Sequence, residues 1–159
     1  HSGFVLELEK VILVFDYYLD PLKLLEERLE KTDKPVYFFV SHVHGDHFNR
    51  AIRSFEDRSS GYFLHRDCSL ALGNQSLLHV MDVGDEVKEG PLTVHMYGST
   101  DAGGSYMVYQ GKRSGYRLSP CGRKAAGGQG VGRESLSPSF YCFSSCPYAR
   151  FRSALGAVL

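Results

Sequence analysis

The order of strand-like and helix-like segments breaks off near residue 111, and this break constrains the fold of the 159-residue chain more than any other feature. Up to Gln110, apolar or alternating runs typical of strands are interleaved with helix-like stretches and turn signals. Beyond Gly111, no segment keeps the strand period or the helix period for long. We therefore predict an α/β unit over residues 1–111, followed by a tail over residues 112–159.

The predicted unit opens with a hairpin and a helix. Residues 4–8 and 11–15 are apolar runs around a short polar pair, which indicates two strands joined by a tight turn. Asp20 followed by Pro21 predicts a helix start with Asp20 as the N-cap. The helix is expected to carry one apolar stripe, formed by Leu22, Leu25 and Leu29.

A continuous apolar run at residues 36–40 predicts a strand that is buried on both faces. Later segments predict a short helix at 48–55 and strands at 61–64, 77–81, 92–97 and 105–110, with a turn at 88–91.

The tail differs from the preceding unit in charge as well as in pattern. Residues 1–111 carry 17 acidic and 10 basic side chains, a net charge of −7, whereas the tail has one acid against eight bases, a net charge of +7. Gly, Ser and Arg dominate the tail, a composition that buries too little apolar surface to offset its ordering entropy. We predict that the tail is poorly structured, or that it is a frame-shifted reading joined to a truncated unit.

Four side chains of metal-ligand type fall within six positions directly after the buried strand: His42, His44, Asp46 and His47. Imidazole nitrogens suit zinc, and a neighbouring carboxylate suits a second ion of similar character, such as zinc, iron or manganese. Asp46 is also the candidate to orient a metal-activated water or to take its proton. The competing interpretation is a surface loop in which Asp46 is a helix N-cap, which accounts for the carboxylate but not for three histidines.

The motif His-x-His-x-Asp-His at the end of a buried strand resembles the signature of the metallo-β-lactamase superfamily, hydrolases with an αββα sandwich fold. The resemblance implies that His42 and His44 bind a first metal and that Asp46 and His47 bind a second. The opening hairpin ending in Asp16, and the segment 98–105 with its Gly-Ser-Thr-Asp start, are similar to small bacterial members. The likeness covers residues 2–111 and implies a partial αββα sandwich, mainly its N-terminal half.

Departures from the family pattern concern the remaining ligands. Many members have a histidine where this chain has Ser99, so Asp101 is the available replacement, with a turn or capping role as the alternative. His95 is a weaker candidate, and His65 and His79 are expected to be structural. A bridging aspartate and a last histidine are implied further along, yet no Asp or His follows Lys112.

Three functions are compatible with these residues. The leading one is a metal-dependent hydrolase, with two zinc ions expected in a complete member and iron or manganese as alternatives, in which activated water attacks an ester, lactone, amide or phosphodiester bond. The incomplete ligand set predicts that this chain is inactive as it stands. The alternatives are a nucleic-acid-binding or nuclease-related protein that uses the basic tail, and a non-catalytic metal-binding domain.

The absence of a long apolar run and of a signal-like N-terminus predicts no membrane span and a cytoplasmic location. The substrate, a small molecule or a nucleic acid, and the oligomeric state stay open.

Overall fold

The computed structural model of the protein describes residues 3–99, 102–111, 114–118 and 139–142. These residues form ten strands in two sheets. The strands are β1 (Phe4–Glu7), β2 (Ile12–Phe15), β3 (Val36–Val40), β4 (Ser59–His65), β5 (Leu78–Met81), β6 (Glu86–Glu89), β7 (Leu92–Gly98), β8 (Gly104–Gln110), β9 (Ser114–Leu118) and β10 (Ser139–Cys142). The helices are α1 (Leu24–Glu30) and two 3₁₀ helices, Arg50–Arg58 and Gln75–Leu77.

The first sheet has six strands in the order β10-β1-β2-β3-β4-β5. The predicted hairpin is confirmed, because β1 and β2 pair antiparallel with Phe4 opposite Phe15. From β2 to β5 the strands run parallel, so their carboxyl ends meet at one edge. The second sheet is antiparallel throughout, in the order β6-β7-β8-β9.

Two apolar layers enclose the first sheet, as the continuous run of β3 predicted. Alternate β3 residues point to opposite faces, so Phe38 packs with α1 and the 3₁₀ helix Arg50–Arg58, while Phe39 packs against the second sheet. Every β3 residue is buried. The described residues therefore form a helix–sheet–sheet stack, which confirms the predicted partial αββα architecture.

Helix α1 begins three residues later than predicted. Lys23 is its N-cap residue, with a left-handed backbone, and Asp20 caps the helix from a distance by accepting the N–H groups of Leu24 and Leu25 at 2.9 and 2.7 Å. The predicted stripe is right for Leu25 and Leu29, which are buried, and wrong for Leu22, which is 74% exposed. Leu22 lies in the turn before the helix, so the helical period does not apply to it.

The predicted helix at 48–55 is a 3₁₀ helix displaced to Arg50–Arg58, and the predicted turn at 88–91 overlaps a strand, β6. Two segments of the tail are also strands. β9 pairs with β8, and β10 pairs with β1, so each extends a sheet at an edge whose backbone groups need partners.

In the part of the chain that the structure describes, no helix is long and apolar enough to cross a membrane.

Candidate metal centre

The histidine loop, residues 41–49, leaves the carboxyl end of β3; residues 41–42 and 47–48 are buried, and residues 43–45, which include His44, are exposed. His42 and His47 are 1% and 3% exposed, which excludes the interpretation of surface-loop histidines for these two. Asn49, not Asp46, caps the following helix by accepting the N–H of Ala51 at 2.9 Å. The alternative role for Asp46 as a helix N-cap is therefore wrong.

A buried relay of hydrogen bonds orients His42. Ser41 Oγ lies 2.8 Å from Asp16 Oδ2 and 2.9 Å from His42 Nδ1. The carboxylate accepts the single hydroxyl proton of Ser41, so the serine oxygen must accept a proton from His42 Nδ1. The Nε2 atom of a neutral His42 then carries a lone pair, as a metal ligand requires.

Asp16 orients His47 in the same way. His47 Nδ1 lies 2.8 Å from Asp16 Oδ2, which leaves Nε2 as the nitrogen with the lone pair when the ring is neutral. Burial by itself would lower the pKa of His47, but the hydrogen bond to Asp16 and the charges of Asp16 and Asp46 outweigh it and raise that pKa. A metal ion must therefore compete with a proton at this ring more strongly as the pH falls.

The predicted donors converge on one region. His42 Nε2 lies 3.1 Å from His44 Nδ1, the His42 and His47 rings are 4.1 Å apart, and Asp46 Oδ2 lies 3.6 Å from His47 Nε2. Two nitrogens bound to one tetrahedral zinc ion at about 2.05 Å lie roughly 3.3 Å apart, so the spacing of His42 and His44 fits a shared metal. The donor types, and the spacing of His42 and His44, thus fit a divalent metal held by two imidazoles.

Within the part of the chain that the structure describes, no three His, Cys, Asp or Glu side chains are placed so that they could hold a metal ion together, so these residues alone leave the centre incomplete. The Asp46 carboxylate is 45% exposed, so it faces the open side of the centre. Asp101, the predicted additional ligand, lies outside the described residues.

The segment that flanks Asp101 packs directly on the histidine loop. Gly104 donates its N–H to Ser41 O at 3.0 Å, and a Cβ at Gly103 would lie 2.1 Å from Ser41 O and 2.5 Å from His42 Cβ. Gly103 has a φ of +70°, which favours glycine. The resemblance of segment 98–105 to the family therefore corresponds to a contact with the candidate metal centre.

The other histidines differ in their relation to this centre. His95 is on the second sheet and its Nε2 lies 3.2 Å from Glu86, while His79 stacks on Phe63 and faces Glu89 at 3.3 Å. His65, at the carboxyl end of β4, pairs with Asp67 at 2.8 Å.

The Asp67 carboxylate lies in the turn after β4, with Oδ1 2.8 Å from His65 Nδ1 and 3.2 Å from Cys68 Sγ. Burial would raise the pKa of Asp67, but hydrogen bonds from His65, Cys68 and Val43 together lower it. Sequence reasoning missed the contacts of Asp16 with Ser41 and His47. Only the position of Asp16 at the end of the hairpin signalled one of them.

Comparison with known proteins supports the predicted relationship. No family model matches the chain. A curated UPF0173 metal-dependent hydrolase of Desulforamulus reducens is 33% identical over 97 residues, which cover 60% of this chain and 42% of that protein. The chain thus spans less than half the length of this relative.

A solved structure gives the same result for the fold. A metallo hydrolase from the hyperthermophilic archaeon Ignicoccus hospitalis matches with a TM-score of 0.50 and 16% sequence identity. The match covers 71% of this chain and 54% of the archaeal chain.

Proposed function

Because the chain has the fold of the metallo-β-lactamase superfamily, we propose that it supplies part of the active site of a metal-dependent hydrolase. The observation that carries the proposal is the geometry of the histidine loop. Three imidazoles and a carboxylate gather at the carboxyl edge of the first sheet, and two of the imidazoles are oriented through Asp16.

Each donor has a defined part in this proposal. His42 and His44 would hold one ion, and Asp46 and His47 would hold a second. A bound metal ion would lower the pKa of a coordinated water and stabilise negative charge on the reacting oxygen. Asp46, whose carboxylate is 45% exposed, would orient that water or accept its proton.

We propose zinc as the resident ion, with iron or manganese as alternatives, because imidazole and carboxylate donors suit all three. The bond cleaved is an ester, lactone, amide or phosphodiester. Asp101 is proposed as a further ligand, as its neighbours Gly103 and Gly104 contact Ser41 and His42.

Metal analysis of the purified 159-residue chain tests the centre. We expect bound zinc, iron or manganese in the wild type and a loss of most of it in His42→Ala and Asp46→Ala. The matched control is His95→Ala, which removes an imidazole that pairs with Glu86 on the second sheet. A wild-type chain without metal after zinc loading, or equal retention in all three variants, contradicts the proposal.

A panel of phosphodiester, lactone, thioester and amide substrates then tests the reaction. Metal-dependent turnover of one class, lost in Asp46→Ala, supports a hydrolase. Bound metal without turnover of any class is the result expected both of an incomplete hydrolase and of a non-catalytic metal-binding domain, so only turnover separates a working hydrolase from these two.

A further inference from the structure

Three of the four proposed ligands lie on one closed turn of the histidine loop. His44 O accepts the backbone N–H groups of His47 and Phe48, at 2.9 and 2.8 Å. His44, Asp46 and His47 therefore share one hydrogen-bonded stretch of backbone, and His42 lies before it. The distance between His42 and the other three ligands depends on how the two ends of this turn are held.

Ser41 holds the first end of the loop. Its backbone N–H donates to Asp16 Oδ1 at 2.8 Å, and its carbonyl oxygen accepts the N–H of Gly104 at 3.0 Å. Within the turn, the ring of His47 is bound to the same Asp16 carboxylate. These contacts fix the backbone beside His42 and the ring of His47, and none of them acts on the backbone that follows the turn.

Asn49 holds the second end of the loop. Its Nδ2 atom donates to Tyr18 O, and its Oδ1 atom accepts the N–H of Ala51 at 2.9 Å. The two amide atoms cannot be exchanged, because a backbone N–H needs an acceptor and a carbonyl oxygen needs a donor. A single side chain therefore caps the helix Arg50–Arg58 and joins the loop to the segment that follows β2.

The segment that follows β2 is itself anchored in the core. Tyr17 is buried and meets the ring of Phe55 edge-on, with the ring centroids 5.6 Å apart. Asp16, one residue earlier, is 1% exposed. Asp16 and Tyr18, on either side of Tyr17, thus hold the histidine loop at its two ends.

We propose that Asn49 is a positioning residue of the metal centre, which holds the turn after His42 so that His42 and His44 face one ion. The spacing that it sets is the 3.1 Å between His42 Nε2 and His44 Nδ1. This inference rests on the proposed function, because the turn that Asn49 holds carries proposed ligands. Asn49 does not itself bind the metal, since its two amide atoms are bound by Tyr18 and Ala51.

Zinc affinity of the full 159-residue chain, measured by competition with a chelator, tests the proposal. Asn49→Ser keeps an oxygen for the N–H of Ala51, since serine caps helices about as well as asparagine, but it has no amide to reach Tyr18 O. We expect zinc binding to weaken by about tenfold, the lower end of the range for groups that orient metal ligands. The matched control is Asn74→Ser. Asn74 caps the other 3₁₀ helix by accepting the N–H of Ser76 at 3.1 Å, so the same substitution there measures the loss of a capping amide alone.

The absorption spectrum of the chain loaded with Co²⁺ gives a second readout, because the visible bands of bound cobalt depend on how its ligands are arranged. We expect shifted bands in Asn49→Ser and wild-type bands in Asn74→Ser. A loss of zinc affinity in Asn49→Ser with an unchanged cobalt spectrum would assign Asn49 a purely structural role and overturn the proposal. Equal losses of zinc affinity in the two serine variants would overturn it as well.

Hydrogen exchange in the metal-free chain shows whether the turn itself is loosened. We expect faster exchange at the amides of His47 and Phe48 in Asn49→Ser and wild-type exchange in Asn74→Ser. Wild-type zinc affinity in Asn49→Ser contradicts the positioning role. If the wild type binds neither zinc nor cobalt, the proposed function is contradicted instead, and unchanged exchange in Asn49→Ser would then overturn this inference too.

Discussion

Asp16 connects the end of the opening hairpin to both sides of the candidate metal centre. Its carboxylate accepts hydrogen bonds from the Ser41 backbone, the Ser41 hydroxyl and His47 Nδ1, each at 2.8 Å. The residue is 1% exposed and has a φ of +44°, a conformation that costs free energy in any residue other than glycine. The buried hydrogen bonds stabilise this conformation and orient two proposed ligands with one carboxylate.

We predict that Asp16→Asn weakens zinc binding about 10- to 100-fold, the range typical of partners that orient metal-bound histidines. Asparagine tolerates a positive φ, so the backbone is retained, but its amide nitrogen cannot accept a proton from Ser41 or His47. Chelator competition measures the affinity, with exposed Asp33→Asn as the control. Equal affinities in the two variants would show that Asp16 has no part in the centre.

The identity of the proposed ligands was predictable at the residue scale because they are adjacent in sequence. Their orientation was not predictable, since Asp16 is 25 residues from Ser41 and 31 from His47. Local patterns carry no information on such pairs.

At the scale of elements, Glu7 joins β1 to α1 and to the chain that enters β3. The side chain is 6% exposed, and it is bound by Arg28, with one contact at 2.6 Å, and by Lys34 at 2.8 Å. The hydrogen bond from Arg28 is the largest influence on the pKa of Glu7, and with the help of Lys34 it outweighs burial, so that this pKa lies below its usual value of 4.5. The charged form therefore stabilises the folded state.

We predict that Glu7→Gln lowers the free energy of unfolding by about 2 kcal/mol at neutral pH, in line with other hydrogen bonds to charged groups. A lowered folded pKa means that the stabilisation is complete above pH 4.5 and is lost as the pH falls through the folded pKa. Urea unfolding of both proteins between about pH 7 and pH 3 should show the difference in stability closing only at the acidic end. Exposed Glu9→Gln is the control, and a gap that widens towards low pH would contradict the prediction.

Two of the glycines with a positive φ, Gly84 and Gly103, separate the effect of backbone strain from that of steric contact. Gly84 has a φ of +99° and nothing within 4 Å of an added Cβ, whereas a Cβ at Gly103 would meet the backbone oxygen of Ser41 at 2.1 Å. Gly84→Ala should cost about 1 kcal/mol from the left-handed backbone alone. Gly103→Ala should cost about 1–3 kcal/mol more, as overpacking does, and should also weaken zinc binding.

Urea unfolding and chelator competition on both glycine variants measure these effects. Equal stabilities, or Gly103→Ala with wild-type zinc affinity, would show that segment 102–105 does not support the histidine loop.

Element type was more predictable than element boundaries. The hairpin, β3 and the later strands follow from apolar runs and alternation, because each is buried on at least one face. The start of α1 was misplaced because Asp20 caps the helix across a turn that contains Pro21 and Leu22. The last two residues of β6 were predicted as part of a turn, because the half-exposed, charged residues of this strand lack an apolar run. The strand structure of β6 depends on its pairing with β7.

At the scale of the whole molecule, the described residues supply one helix-covered sheet and a second sheet packed against it. The tail contributes β9 and β10 at the edges of these sheets, which its composition did not predict. The metallo-β-lactamase fold was predictable because a single six-residue motif identifies it. The full set of residues that completes the metal centre was not predictable. Asp101 is one further candidate ligand, in the segment that adjoins the histidine loop.

Tyr106 links the two sheets directly beneath this centre. Its side chain rises from β8 in the second sheet, is completely buried, and places its hydroxyl 2.7 Å from Val40 O and 3.0 Å from Phe63 O in the first sheet. Burial raises the pKa of Tyr106 well above its usual value, so the hydroxyl remains a donor at any ordinary pH. Val40 is the last residue of β3 and immediately precedes the histidine loop, so the hydrogen bond from Tyr106 holds the end of the strand where the loop begins.

We predict that Tyr106→Phe lowers the free energy of unfolding by about 1–2 kcal/mol, because the one hydroxyl proton shared by the carbonyls of Val40 and Phe63 is lost while the ring packing is kept. Zinc affinity should fall less than in Asp16→Asn, since Tyr106 holds the strand ends and Asp16 holds the ligands themselves. Tyr109→Phe, on the same strand, is the control for loss of a tyrosine hydroxyl away from the sheet interface. Urea unfolding and chelator competition on the three variants measure these effects. Loss of zinc binding in Tyr106→Phe without a loss of stability would contradict the predicted order. Tyr106 would then act on the metal centre and not on the contact between the sheets.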